Sequence, residues 1–296
     1  SARADFLSTD ALIPRAAYFG LAKQARKIGF PFAGQVPFAV SVTEASDSGQ
    51  RSVEQEDGLM RACTSNEDVF RAQLADTINR RAGDDPLQRR NQARSILLSY
   101  DPARCKAVME TLARNHTRVT PTLVVYQPYV HSFDSASTHP EWFKYVPGIV
   151  EGGWRHRSIS MPHPDSTVVR TSFSIERTGA LNKVGVKLLA GTDAPRPFIY
   201  PGFSLHEELG LLVKAGLTPL EALRTATYNP AEFLGSLDSL GTIGTGKIAD
   251  LLLLDADPLR DIRNTTRISA VIANGRVFDS TARAALLNHV ATALKR

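Results

Sequence analysis

In the stretch Val186-Lys187-Leu188-Leu189-Ala190-Gly191-Thr192-Asp193-Ala194 an apolar run ends on a single carboxylate. A short apolar run bounded by glycine reads as a buried strand, which puts Asp193 at its C-terminal tip. In a sheet of parallel strands that rim gathers loops and helix N-termini, so an acid there can bind a cation or move a proton. Asp193 is the first candidate for a reacting or metal-binding group. Ser204-Leu205-His206-Glu207 then opens a helix, with His206 in its first turn, where substrate contact and helix capping are equally open. Tyr126, at the tip of a β-branched apolar run over 119–126, is a further candidate for a pocket, with core packing as the alternative.

The elements that must hold these groups follow strand–helix–strand grammar. Tyr18, Leu21, Ala22, Ala25 and Ile28 have helical spacing, closed by Gly29. Residues 32–36 read as a strand, Ser41 and Glu44 as a capping box, and residues 51–55 as a second strand. Residues 60–116 read as two or three helices with a loop near Gly83-Asp84-Asp85-Pro86. The runs over 119–126 and 186–193 read as the third and fourth strands. Residues 127–168, rich in proline and glycine, read as a long irregular excursion holding His131, His139, His156 and His163, a surface loop or a lid. A helix over 172–183 is expected. Further helices are signalled by Ser204 with Glu207, by Thr218, Pro219 and Glu221, and by Asn229-Pro230. Near residue 240 the texture changes to a small β layer, with Asn274-Gly275 as a hairpin turn and a helix over 281–295.

Composition bounds the function. With 296 residues, 43% of them hydrophobic, the chain can bury a large core. The net charge of +5 comes from scattered basic residues. The densest group (Arg80, Arg81, Arg89, Arg90 and Arg94) is interleaved with acids and free of aromatics, so it reads as a solvated helical face rather than a nucleic-acid surface. No apolar run is long enough to span a membrane, and the compartment is not readable, cytoplasmic being the default and export an alternative. Cys63 and Cys105 read as two partly buried thiols.

The order of these pieces resembles the amidohydrolase superfamily, in its imidazolonepropionase-like and metal-dependent dipeptidase-like branch. The resemblance is carried by Gly34-x-Val36-Pro37, Ser52-Val53-Glu54, Thr122-Leu123-Val124-Val125 and Leu189-Ala190-Gly191-Thr192-Asp193-Ala194. It continues through 215–223, Asn229-Pro230-Ala231 and the tail over 241–251. It implies a TIM-type (β/α)8 barrel with a small β-sandwich, and one or two divalent metals, zinc foremost, that activate a water. The family's fifth-strand and sixth-strand histidines fall here on Gln35 and Gln55. Neutral amides are poor zinc ligands, so both are expected to line a site and contact substrate. Only Asp193 keeps its family identity, as metal ligand and proton acceptor.

The resemblance also implies that the chain begins where the fourth barrel strand ends. The expected fold is α/β: the C-terminal half of a (β/α)8 barrel (strands five to eight) plus part of a β-sandwich. Residues 1–239 form the partial barrel, 240–280 the sandwich strands and 281–296 a terminal helix. A half barrel leaves unpaired strand edges, so a partner is expected: the missing N-terminal half as a separate chain, or a second copy. The expected function is hydrolysis of an amide, peptide or cyclic-amide C–N bond. The alternative is an inactive relative serving as a binding or assembly subunit.

Overall fold

The computed structural model describes residues 4–79, 95–131, 133–134, 138–160 and 165–294. The basic group over 80–94, the expected loop near Gly83–Pro86 and His163 lie outside the described residues. The chain forms two compact units, one of Ser1–Thr122 with Ser172–Leu189 and the other of Leu123–Thr171 with Ala190–Arg296.

The first unit is α/β and built on four parallel strands, β1 (Leu7–Thr9), β2 (Phe32–Gly34), β3 (Ser52–Glu54) and β4 (Arg118–Thr120), adjacent in that order. Chain order equals sheet order because a helix returns each strand to the start of the next. Helix Arg15–Ile28 joins β1 to β2 and ends on Gly29 in the left-handed conformation. Helix Val42–Asp47 joins β2 to β3 and starts with the Ser41–Glu44 capping box. Between β1 and β2 the backbones approach so closely that a side chain at Gly34 would collide with Thr9, and only glycine fits. Beneath the strands, Tyr18 Oη donates to Gln50 Oε1 at 2.6 Å. Gln50 Nε2 donates to the carbonyls of Gly34 and Ser52, so a buried amide ties helix to sheet with its hydrogen bonds made. Burial pushes the Tyr18 phenol upward, which keeps it a neutral donor.

Helix Asp165–Lys183 runs from one unit into the other. Its last turns are fixed by a buried ion pair: Arg177 Nη2 donates to Glu56 Oε2 at 2.6 Å, and Thr178 Oγ1 donates to Glu56 Oε1 at 2.7 Å. Both charges are almost fully out of water, so the pair specifies the position of the helix more than it adds net stability.

The second unit contains helices Gly148–Ser160, Phe203–Lys214, Pro219–Ala226 and Tyr228–Phe233. An antiparallel sheet of β5 (Leu251–Leu254), β6 (Ile268–Ala273) and β7 (Arg276–Phe278) follows, and helix Ser280–Ala293 ends the unit. Asn274 and Gly275 both have positive φ, as the two-residue hairpin requires. Thr218 and Glu221 form the expected capping box.

Several expectations need correction. The run over 119–126 is a strand only to Thr120. Pro121 has no N–H for the ladder, Thr122 takes a φ of 51°, and Leu123–Tyr126 turns into a 3-10 helix. The run over 186–193 makes only a parallel bridge, Leu188 to Val119, before the Ala190 N–H goes to the Thr225 carbonyl. The sequence reading omits β1, whose three residues carry no pattern of their own and are defined by pairing with β2. The described residues of the excursion over 127–168 are largely helical. Pro128 and Pro140 stand in the first positions of their helices, where a missing N–H costs nothing. The helix expected over 172–183 begins already at Asp165. Ser204 and Glu207 do not cap helix Phe203–Lys214, which begins at Gly202 without a side-chain cap. Ser204 Oγ instead accepts from Tyr200 N at 3.0 Å.

The cysteines are also corrected: Cys63 and Cys105 form a disulfide across a sequence separation of 42. Two cysteines so far apart give no pairing signal on their own. The fold joins them through the Asp101 N–H to Cys63 carbonyl bond and the Thr64–Tyr100 bridge. By loop-closure entropy a link of this span is worth roughly 4 kcal/mol. Denatured protein should therefore show no free thiol before reduction, and C63A/C105A should lose a comparable amount of unfolding free energy in denaturant titration.

Candidate functional site

The glutamines and the acid fall in different units. Gln35 and Gln55 directly follow β2 and β3 in the first unit, at the carboxyl end of the parallel sheet. The Gln35 N–H donates to the Thr9 carbonyl at 3.0 Å, and its own carbonyl accepts from Thr9 Oγ1 at 2.8 Å. The Gln55 N–H donates to the Thr120 carbonyl at 3.0 Å, and Gln55 takes a φ of 62°. Because parallel strands all point one way, these two amides share one rim. Both are half-buried.

Asp193, Tyr126 and His206 belong to the second unit. Tyr126 ends the 3-10 turn rather than a strand, and is half-buried. Asp193 lies in an exposed turn with a φ of 54°, a left-handed conformation that aspartate tolerates better than most residues. Its Oδ2 accepts from Arg196 Nε at 2.6 Å. Asp193 and Arg196 border a cavity of about 520 Å³ whose other walls include Val150, Trp154, Pro195 and Pro197. The Arg196 contact with Asp193 is one that sequence reading missed. Its signal was available: a cation between two prolines, one turn beyond the candidate acid.

His206 is directed elsewhere. Thr265 gives its hydroxyl proton to the Ile262 carbonyl, so its oxygen accepts from His206 Nδ1 at 3.0 Å. Burial lowers the His206 pKa, against a smaller opposing effect of Glu207, which favours the neutral ring. This is a packing histidine joining helix Phe203–Lys214 to the 3-10 turn Ile262–Thr266.

The more strongly coupled imidazole is His139. Its Nε2 lies 2.7 Å from Glu207 and its Nδ1 3.2 Å from Glu141, and its ring stacks on Trp142 at 3.9 Å. Trp142 stacks in turn on Phe203, so the segment once read as a loose excursion is held to helix Phe203–Lys214 by an ion pair and an aromatic stack.

With regard to metals, no group of three or more His, Cys, Asp or Glu among the described residues could hold an ion. Asp193 is a single carboxylate already engaged by a guanidinium, and the rim amides are weak donors for zinc. The described residues do not by themselves fit a zinc centre.

The amidohydrolase family model matches residues 155–278, a span that includes Asp193, Arg196 and His206. Residues 155–278 are amidohydrolase-family sequence. A 5'-deoxyadenosine deaminase from Methanobrevibacter smithii is 37% identical over 81 residues, covering 26% of this chain and 19% of the relative. An imidazolonepropionase from Pseudomonas savastanoi pv. phaseolicola is 36% identical over 84 residues, covering 28% and 21%. In fold the chain is similar to a bottromycin amidohydrolase, with TM-score 0.70 and 22% identity, over 98% of this chain and 59% of that one. It is also similar to a Xaa-Pro dipeptidase solved with bound methionine, with TM-score 0.59 and 17% identity, over 94% and 55%. The chain thus spans little more than half of these amidohydrolase-like neighbours, and about a fifth of the curated relatives.

The His139 pair gives a pH signature. Burial would push this imidazole down, but hydrogen bonds and charges from Glu207 and then Glu141 outweigh it and hold its pKa above the ordinary value. A raised folded-state value means full stabilisation below the unfolded value of about 6.5, fading as pH rises through the folded one. His139→Gln should therefore lower the melting temperature most at about pH 5.5, and the gap to wild type should narrow by about pH 9.

Proposed function

We propose that this chain is the C-terminal part of an amidohydrolase-like hydrolase that cleaves a C–N bond, with Asp193 as its general base. The observation that carries this reading is Asp193 itself: an acid inside the family-matched segment, standing at a cavity of about 520 Å³. In the reaction, water oxygen bonds to the carbonyl carbon while Asp193 takes its proton. The C–N bond then breaks, and the same carboxyl group returns the proton to the leaving nitrogen. The single acid thus serves as base and then as acid.

On this reading β2, β3, β4 and the Leu188 bridge are strands five to eight of a (β/α)8 barrel, and β1 is the end of strand four. Residues 1–239 are the partial barrel, 240–280 sandwich strands and 281–296 a terminal helix. Support comes from the sequential parallel order and from the lengths of the neighbours, which exceed this chain by much more than a tail. The small antiparallel sheet leaves Leu252, Leu253 and Val277 more than half exposed, which suits a layer that another segment covers. That segment, and the first half of the barrel, would come from a separate chain or a second copy. A divalent metal, zinc foremost, would draw its ligands largely from that complement. Gln35 and Gln55 would then orient substrate or water.

No helix among the described residues is long and apolar enough to cross a membrane. The Cys63–Cys105 bond suits an oxidising compartment, which favours export over the cytoplasm. Nothing in the comparisons favours an inactive binding subunit, and the hydrolase reading stands alone here. Native mass measurement of the purified material, with a panel of N-acyl amino acids, dipeptides and cyclic amides, tests the proposal. A mass above one chain and turnover of at least one class are expected. A lone monomer inert towards all three would contradict it.

A further inference from the structure

Helix Asp57–Ala62, which follows β3, carries a buried cation, Arg61, with only 7% of its surface exposed to solvent. Among the described residues no carboxylate, carbonyl or hydroxyl accepts a hydrogen bond from its guanidinium. The group folds back along its own helix instead. Its Cζ lies 5.1 Å from the centre of the Phe38 ring, and a Cβ added at Gly58 would stand 3.9 Å from Nη2. A ring face attracts a cation but leaves its N–H donors unmatched. A charge taken out of water in this way is strongly unfavourable unless a counter-charge bonds it.

The charges that act on Arg61 do not supply one. Glu67 is negative but beyond bonding distance, and its carboxylate accepts from Arg104 Nη2 at 2.6 Å. Arg71 is positive and is paired with Asp68 and Glu44. Arg71 also reaches the same loop as Arg61, its Nη1 donating to the Ala39 carbonyl next to Phe38, while its Nε is buried with no acceptor. Burial pushes the Arg61 guanidinium down to about 10, Glu67 opposing this and Arg71 adding to it, so Arg61 stays charged at neutral pH. One unmatched guanidinium calls for one negative charge, and burial this complete calls for a small one.

We propose that Arg61, at the Phe38 loop, forms a binding site for a single small monovalent anion of the chloride class. The site is independent of the role given to Asp193. Thermal unfolding of the purified chain at fixed ionic strength, with sodium chloride exchanged stepwise for sodium gluconate, reads its occupancy. An anion that binds only the folded state raises the melting temperature with its concentration. The wild type should gain about 2 °C or more in chloride, on a curve that saturates, and bromide should act alike.

Arg61→Met keeps the length of the side chain and removes its charge, and should show no difference between the two salts. Arg61→Lys should keep part of the response. Crystals grown in bromide should show its anomalous signal beside the Arg61 guanidinium, and this decides the matter alone if Arg61→Met does not fold. Equal melting temperatures of the wild type in both salts would overturn the proposal, leaving a cation solvated by water only. So would a chloride response that survives Arg61→Met, or bromide-grown crystals without a halide at Arg61.

Discussion

One oxygen of the Asp193 carboxylate accepts from the Arg196 guanidinium at 2.6 Å. The contact between Asp193 and Arg196 therefore sets the terms for the chemistry of its unit. The pair is partly exposed, so its net contribution to stability is small and it can open at little cost. Backbone geometry makes the contact possible: a left-handed Asp193, followed by a turn in which the Arg196 N–H returns to the Asp193 carbonyl.

The second constraint is that parallel strands place all their carboxyl ends on one rim. In the first unit this alone makes neighbours of Gln35 and Gln55, and the collision that excludes any side chain at Gly34 fixes the approach of β1 to β2. The buried Gln50 bridge and the Glu56–Arg177 pair then hold helices against that unit's core.

Much of this was legible in the sequence. Capping boxes at Ser41 and Thr218, the Gly29 terminator and the Asn274-Gly275 turn are local signals whose physics is complete within a few residues. Strands β2 and β3 were legible because short stretches between turn and helix signals there coincide with real pairing. The failures share a cause, which is that long-range pairing decided the outcome. The run over 119–126 has strand composition, yet Pro121 and the turn at Thr122 divert it. The run over 186–193 finds a partner at only one residue, and β1 exists only because β2 lies beside it. The disulfide and the His139–Glu207 pair bring together residues 42 and 68 positions apart, beyond any local signal. Asp193 was singled out because its position at the end of an apolar run is a sequence property. The Arg196 contact was not read because it depends on how the turn folds back.

The most direct measurement of the role of Asp193 is kcat/KM for Asp193→Asn in the assembled protein, on the best substrate of the wild type. If Asp193 moves the proton, the rate should fall by about 10²- to 10⁴-fold with KM nearly unchanged. Turnover by Asp193→Asn within a few-fold of wild type would contradict that role.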